Sequence, residues 1–212
     1  MLTILLASTS PRRYHILSLL RLPFLMIPPA SAEITSDARL PEREVLYQAE
    51  KKAASLAAAF PGTVVIGSDT LINLDGQKIG KPRDASDARV ILKRLRDREH
   101  QVVTGVVILR TGDSRRYEGV EIVRVRMAAS SDAQLEAYVS SGDPFDKAGG
   151  YSLQGGGREL VAGLTGDYLA AVGLPLKAVA EGLEHLHVPV PVDVAALYRD
   201  REFLNWKTFK EC

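Results

Sequence analysis

Val64-Val65-Ile66-Gly67-Ser68-Asp69-Thr70-Leu71-Ile72 decides how this chain is read. A β-branched apolar run carries one acid, Asp69, and one hydroxyl, Thr70, past a glycine expected to relieve the backbone. A carboxylate inside such a run is costly unless it is paired, hydrogen-bonded or bound to metal. Taken alone, the segment fits a turn or cap aspartate between two short strands equally well. Cations elsewhere tip the balance: Arg12, Arg13, Lys52, Lys81 and Lys147. One acid able to hold a metal or activate water, with cations around it, is what phosphate-ester chemistry requires.

Downstream, the strand runs from Thr63 to Leu74 and closes at Asp75-Gly76, a hairpin signal. A return strand, Gln77 to Ile79, leads into Gly80-Lys81-Pro82. This is no nucleotide-binding P-loop: Gly76 to Lys81 is one residue short, and Pro82 stands where a magnesium-binding hydroxyl belongs. Lys81 sits in a stiff, exposed turn, placed either to reach a phosphate or simply to meet solvent.

Upstream, Thr3 to Ala7 reads as a buried strand. Ser10 is a fitting N-cap and Pro11 a fitting first residue for a helix reaching Leu20. Strand, small polar loop and helix start make an anion site, with the amides of Ser8 to Ser10 available to it. Arg12 and Arg13 oppose the helix dipole there, so a phosphate or base contact explains them better than a solvated pair. Phe24 to Ile27 reads as a second strand, followed by a loop carrying Glu33. Pro41 to Phe60 has helical spacing in Val45, Ala49, Lys52, Ala53 and Leu56, and on spacing alone Lys52 reads as a surface lysine.

Ala85 to Leu95 is an amphipathic helix. His100 to Arg110 and Tyr117 to Met127 pair as an antiparallel ribbon, where the change of alternation after Ile122 suggests a slip or bulge. His100 reads as a strand-end histidine without metal spacing. A helix starts at Ser131. The glycine-rich stretch 143–157 is expected to be ordered, because Phe145, Tyr151 and Leu153 interleave it, and Gln154 offers a paired donor and acceptor for a base edge. A last helix runs from Pro175 to about Leu186, and residues 187–212 form a C-terminal extension, partly helical around Val194, Leu197 and Tyr198. The division is therefore one domain, 1–186, plus the extension.

Composition restricts the classes. The chain has 212 residues, 46% apolar and 25% charged, which is ordinary for one globular domain. A net charge of +1 argues against a nucleic-acid coat and leaves room for a local basic pocket. The sole cysteine, Cys212, excludes a disulfide framework or a cysteine zinc site and suits a reducing cytosol. No apolar run approaches the roughly 18 residues needed to span a membrane. The apolar start followed by Arg12 and Arg13 reverses the order of a signal peptide, so a cytoplasmic protein is expected.

Several motifs occur together and in order: Leu6-Ala7-Ser8-Thr9-Ser10-Pro11-Arg12-Arg13, Ala49-Glu50-Lys51-Lys52-Ala53, Gly67-Ser68-Asp69-Thr70 and Gly80-Lys81-Pro82. His100 to Val106, Asp146 to Gly155 and Val172-Gly173-Leu174-Pro175 complete the set. In this set the chain resembles the Maf family of nucleoside triphosphate pyrophosphatases over most of residues 4–176. The resemblance implies an elongated α/β fold with a mixed central β-sheet flanked by helices, related to the inosine triphosphate pyrophosphatase (Ham1) enzymes. It also implies a cytoplasmic homodimer, a divalent metal (Mg²⁺ or Mn²⁺), and cleavage of a nucleoside triphosphate to monophosphate and pyrophosphate.

Carried over residue by residue, Asp69 matches the catalytic acid, as general base or metal ligand, with Glu33 as its acidic metal partner. The acids that commonly precede that glutamate are replaced here by Ala30-Ser31-Ala32. Arg12, Thr70 and Gln154 match positions that mark the dTTP/UTP branch, in which Arg12 or Thr70 would donate to a pyrimidine carbonyl. The branch acting on N7-methyl-GTP has tryptophan where Arg12 stands. Arg13, Lys52, Lys81 and Lys147 would hold the triphosphate, together with Ser8. Two rival expectations remain: the same chemistry on another nucleotide, a modified purine or N7-methyl-GTP, and a nucleotide-binding regulator of septum formation without turnover. No membrane and no stable nucleic-acid partner is expected.

Overall fold

The computed structural model describes residues 3–31, 36, 38–112 and 115–200. Strand β1 (Thr3–Ala7) is followed by α1 (Pro11–Ser18), β2 (Phe24–Ile27), α2 (Pro41–Ala57), β3 (Thr63–Leu74), β4 (Gln77–Ile79) and α3 (Ala85–Leu95). Then come β5 (Glu99–Arg110), β6 (Arg116–Met127), α4 (Asp132–Ser140), three short 3-10 turns, β7 (Val161–Thr165), α5 (Tyr168–Val172), α6 (Leu176–His185) and α7 (Val194–Asp200). The expected mixed α/β sheet is present. Among the described residues it has seven strands in the order β2-β1-β3-β5-β6-β7, with β4 paired to β3.

Strand β1 runs parallel to both neighbours, and every other pairing is antiparallel. The two parallel crossovers, β1 to β2 and β2 to β3, run in opposite directions across the sheet, so their helices must cover opposite faces. They do. Ile16 and Leu17 of α1 join the large cluster with Ile4, Leu6, Val64 and Ile66, together with α3, α4 and α6. Ala53 and Leu56 of α2 pack on the other face, against Leu5, Ala7 and Val65. A crevice opens at the carboxyl end of β1, where the two crossovers diverge, and such switch points are where open α/β sheets bind ligands. β3 deepens it. It pairs with β1 only as far as Gly67, so Ser68 to Leu74 overhang the end of β1.

Two expectations are corrected. β5 and β6 pair in unbroken register from Glu99↔Arg126 to Leu109↔Arg116, and the irregularity lies at Arg126/Met127 against β7. The change of alternation in β6 is a change of burial between faces: Val123, Val125 and Met127 enter the large cluster, while Val120 packs on Val45, Leu71 and Val103 under α2. Second, Gly67 is not needed for an unusual backbone angle. A Cβ there would lie 2.1 Å from the Ala49 carbonyl oxygen, so glycine is required because α2 presses against the strand. Gly105 of β5 is crowded the same way by Val45. The Asp75-Gly76 hairpin forms as expected, both residues at positive φ.

Candidate active site

Residue alternation in β3 splits its polar pair. Odd positions face α2, as Val65 and Leu71 do. Asp69 therefore faces α2 as well, and there the Lys52 ammonium donates to its Oδ1 at 2.6 Å, with side-chain exposures of 6% and 14%. Lys52 is thus no surface lysine. The close approach allowed by Gly67 and Gly105 brings α2 near enough for this pair, and the pair meets the cost of a carboxylate in an apolar strand. Both residues line a cavity of about 330 Å³ at the end of β1.

Even positions face α1 and α5. Arg13 donates from Nη2 to the Thr70 hydroxyl at 3.3 Å and from Nε to the Gly173 carbonyl at 2.8 Å. Thr70 and Thr104 hydroxyls lie 3.0 Å apart, and Thr104 donates to the Ala170 carbonyl at 2.8 Å. Each hydroxyl has one proton. Thr104 has committed its own to Ala170, so Thr70 donates to Thr104 and accepts from Arg13. The chain of bonds runs one way, Arg13 to Thr70 to Thr104 to Ala170, and Thr70 offers the cavity only lone pairs. The expectation that Thr70 donates to a pyrimidine carbonyl is corrected.

Helix α1 starts as expected, with Ser10 Oγ accepting from the Arg13 amide and Pro11 in the first turn. The amides available to an anion are fewer than expected, because the Ser8 amide already donates to Leu6 and Ile27 carbonyls and the Ser10 amide to Ser8 Oγ. Ser8 itself is buried and lines the cavity.

The glycine-rich stretch forms the opposite wall. Tyr151 and Leu153 are buried, whereas Phe145 is 39% exposed and contributes little to its order. Lys147 is held by Asp143 Oδ1 at 3.0 Å and Asp146 Oδ1 at 2.5 Å, and Arg12 meets Asp146 Oδ2 at 3.1 Å. Partial burial opposes ionisation of Asp146, but the Lys147 hydrogen bond and the Arg12 charge outweigh it and hold this carboxyl below its usual range. Arg12, Arg13, Lys52, Lys81 and Lys147 all line the cavity. Gln154 is not among the lining residues, and its side-chain amide hydrogen-bonds Tyr168. Glu33 lies outside the described residues.

The family description "Maf-like protein" fits residues 3–186. The chain belongs to the Maf family. It is 43% identical over 174 residues to the dTTP/UTP pyrophosphatase of Dictyoglomus turgidum, covering 82% of this chain and 90% of that one. The dTTP/UTP pyrophosphatases of Symbiobacterium thermophilum and Pyrococcus horikoshii are each 40% identical, over 88% and 84% of this chain and 95% and 94% of their own. Among solved structures, the Ham1 protein of Staphylococcus aureus overlaps 60% of this chain and 73% of its own, with a TM-score of 0.44 at 17% identity.

The Maf cavity also recruits residues that sequence reading missed. Gln48 lines it and donates to Glu44 at 2.8 Å. Glu44, Gln48 and Lys52 stand at i, i+4 and i+8, a polar stripe on the buried face of α2, and that spacing was the available signal. Burial disfavours a charged Glu44, but bonds from Gln48, Arg39 and Ser36 and the charge of Lys78 bring its carboxyl below the usual range. Ser68 and Asp146 are further additions, Ser68 through its bond to the Gly173 carbonyl and Asp146 through Arg12 and Lys147, whereas Thr104, expected as a site member, joins through Thr70. Among the described residues, no three His, Cys, Asp or Glu side chains gather as a metal-ligand group. The carboxylates that line the cavity among the described residues are Asp69 and Asp146, and Mg²⁺ needs only one or two, taking its other ligands from water and substrate phosphates.

Proposed function

We propose that this Maf protein hydrolyses dTTP and UTP to the monophosphate and pyrophosphate. The observation that carries the reading is the buried Asp69–Lys52 pair at the floor of a cavity ringed by Arg12, Arg13, Lys81 and Lys147. Relatives named dTTP/UTP pyrophosphatase, at about 40% identity over most of the chain, supply the substrate class.

The chemistry follows from what each group can do. Water attacks the α-phosphorus, a new P–O bond forms, the bond to the bridging oxygen breaks, and pyrophosphate departs. Asp69 orients the attacking water and takes up its proton through its carboxylate, which Lys52 fixes in position. Arg13, Lys81 and Lys147 neutralise the phosphate oxygens as charge moves to the leaving group. A divalent cation held by Asp69, with Glu33 as the second acid, would neutralise phosphate charge. Uracil and thymine share the edge O2, N3–H and O4. Thr70, limited to accepting, suits the N3–H, and Arg12 suits a carbonyl. Gln154 joins them once its amide leaves Tyr168. Polar partners left unpaired by a purine give the discrimination.

The reaction belongs in the cytoplasm, where nucleoside triphosphates are made and used. Among the described residues no helix is long and apolar enough to cross a membrane. A homodimer is part of the same reading, supported by the open edge of β2, where Leu25 is 59% and Met26 36% exposed.

The test is product formation with Mg²⁺ or Mn²⁺ across dTTP, UTP, CTP, GTP, ITP and N7-methyl-GTP. Fastest turnover of dTTP and UTP, yielding monophosphate and pyrophosphate, is expected. Turnover of another nucleotide alone would keep the reaction and overturn the base reading, and no turnover of any would leave a nucleotide-binding protein.

A further inference from the structure

Helix α5 has only five residues, too few to be stable alone, yet Arg13 of the cavity wall, and Ser68 and Thr104 behind it, hang on carbonyls of the helix and its C-cap. The Gly173 carbonyl, at its C-terminal end, accepts from Arg13 Nε at 2.8 Å and from Ser68 Oγ at 3.1 Å. The Ala170 carbonyl accepts from Thr104, which in turn accepts from Thr70. At its other end Asp167 caps the helix, its Oδ1 accepting from the amides of Leu169 at 2.9 Å and Ala170 at 3.4 Å. The remaining carboxylate oxygen, Oδ2, accepts from the hydroxyl of Tyr198 at 2.8 Å.

Tyr198 lies in α7, beyond the residues 3–186 that the Maf description covers. It is nonetheless 8% exposed and part of the main core cluster, as is Val188, while Val190, Val194 and Leu197 pack against the same cluster. The α7 N-terminus is fixed by Asp193, whose Oδ1 accepts from the Ala196 amide at 2.9 Å. Lys177, in the first turn of α6, places its ammonium 4.3 Å from the centre of the Tyr198 ring, and its backbone also bonds the hydroxyl. The hydroxyl is therefore held in one direction, toward Asp167.

We propose that Tyr198 is a positioning residue for the nucleotide site. Its hydroxyl fixes the Asp167 carboxylate, the carboxylate caps α5, and α5 holds Arg13 and the Thr104–Thr70 pair in the geometry that receives substrate. The segment after residue 186 is then a working part of the site, although none of its described residues lines the cavity. The inference rests on the reading that Arg13 binds the triphosphate. Arg13 lies at the carbonyl end of α5, where a cation is favoured, so loosening the cap loosens the seat of that cation.

Tyr198→Phe in the full chain tests this, because it removes one oxygen and keeps the ring packing. The KM for dTTP should rise about three- to tenfold with kcat within about twofold, the pattern of lost substrate binding. In an Asp167→Ala background, which removes the cap, Tyr198→Phe should add no further change to KM. Hydrogen exchange of the Leu169–Gly173 amides should also quicken in Tyr198→Phe. An unchanged KM, or penalties that multiply in the double variant, would overturn the proposal and leave Tyr198 a packing residue. If the parent turned over neither dTTP nor UTP, the functional reading would fail separately. Exchange at α5 would then decide the positioning role, and unchanged protection would overturn it.

Discussion

His100, the second residue of β5, contributes stability that depends on pH. It is 3% exposed, its Nε2 lies 2.7 Å from the Tyr151 hydroxyl, and its Nδ1 has no partner among the described residues. Burial lowers its pKa from 6.5 to about 4, so the imidazole is neutral at pH 7. The sign follows. Above pH 6.5 both folded and unfolded chains carry a neutral ring. As pH falls toward 4 the unfolded chain takes up a proton that the folded chain refuses, and stability is lost. The loss is about 2 kcal/mol by pH 5. Urea midpoints at pH 7.5 and 5 should converge in His100→Gln relative to the parent, and an equal fall in both proteins would contradict this. The sequence identified a strand-end histidine without metal spacing, but its partner Tyr151 is 51 positions away, and no local pattern could supply it. Thr70 shows the same limit. Its identity as a site residue was legible, whereas its role as acceptor follows only from Thr104 and Ala170, which the fold brings to it.

At the scale of elements, the decisive contact is α2 against β3 and β5. Caps, periodicity and turn residues made most elements readable: Ser10-Pro11 for α1, Asp75-Gly76 for the β3–β4 hairpin, and Ser131, whose capping box with Gln134 starts α4. β7 and α5 were missed because each has five residues, too few to show a period, with Gly163 inside the strand and Gly173 ending the helix. The space requirement at Gly67 was misread as a backbone requirement, since distance to another helix leaves no mark in a strand. Gly67→Ala should therefore cost about 1–3 kcal/mol, because the intruding Cβ meets backbone that cannot rotate away. It should also reduce turnover, since α2 must withdraw and draw Lys52 from Asp69. Gly80→Ala, with nothing within 4 Å of its Cβ, serves as the stability control. Urea unfolding beside turnover checks both, and equal stability of the two variants would contradict the packing argument.

For the whole molecule, topology converts scattered motifs into one site. The order β2-β1-β3 sends α1 and α2 to opposite faces, and the crevice between them collects the loop and first turn of α1 from residues 8–13, the overhang of β3 and the wall from residues 146–153. Strand order was not legible from a single chain, because pairing across dozens of residues depends on packing rather than local preference. The cations were legible, because arginines set against a helix dipole and a lysine between glycine and proline have few structural uses. The central claim is that Asp69, held by Lys52 at the floor of this crevice, carries the hydrolysis. The measurement that tests it most directly is pyrophosphate release from dTTP and UTP by the parent and by Asp69→Asn, both verified as folded by circular dichroism. The account predicts that kcat falls on the order of 10²- to 10⁴-fold in the variant, the range for losing a positioned base. An Asp69→Asn protein that turns over dTTP at the parental rate would contradict it.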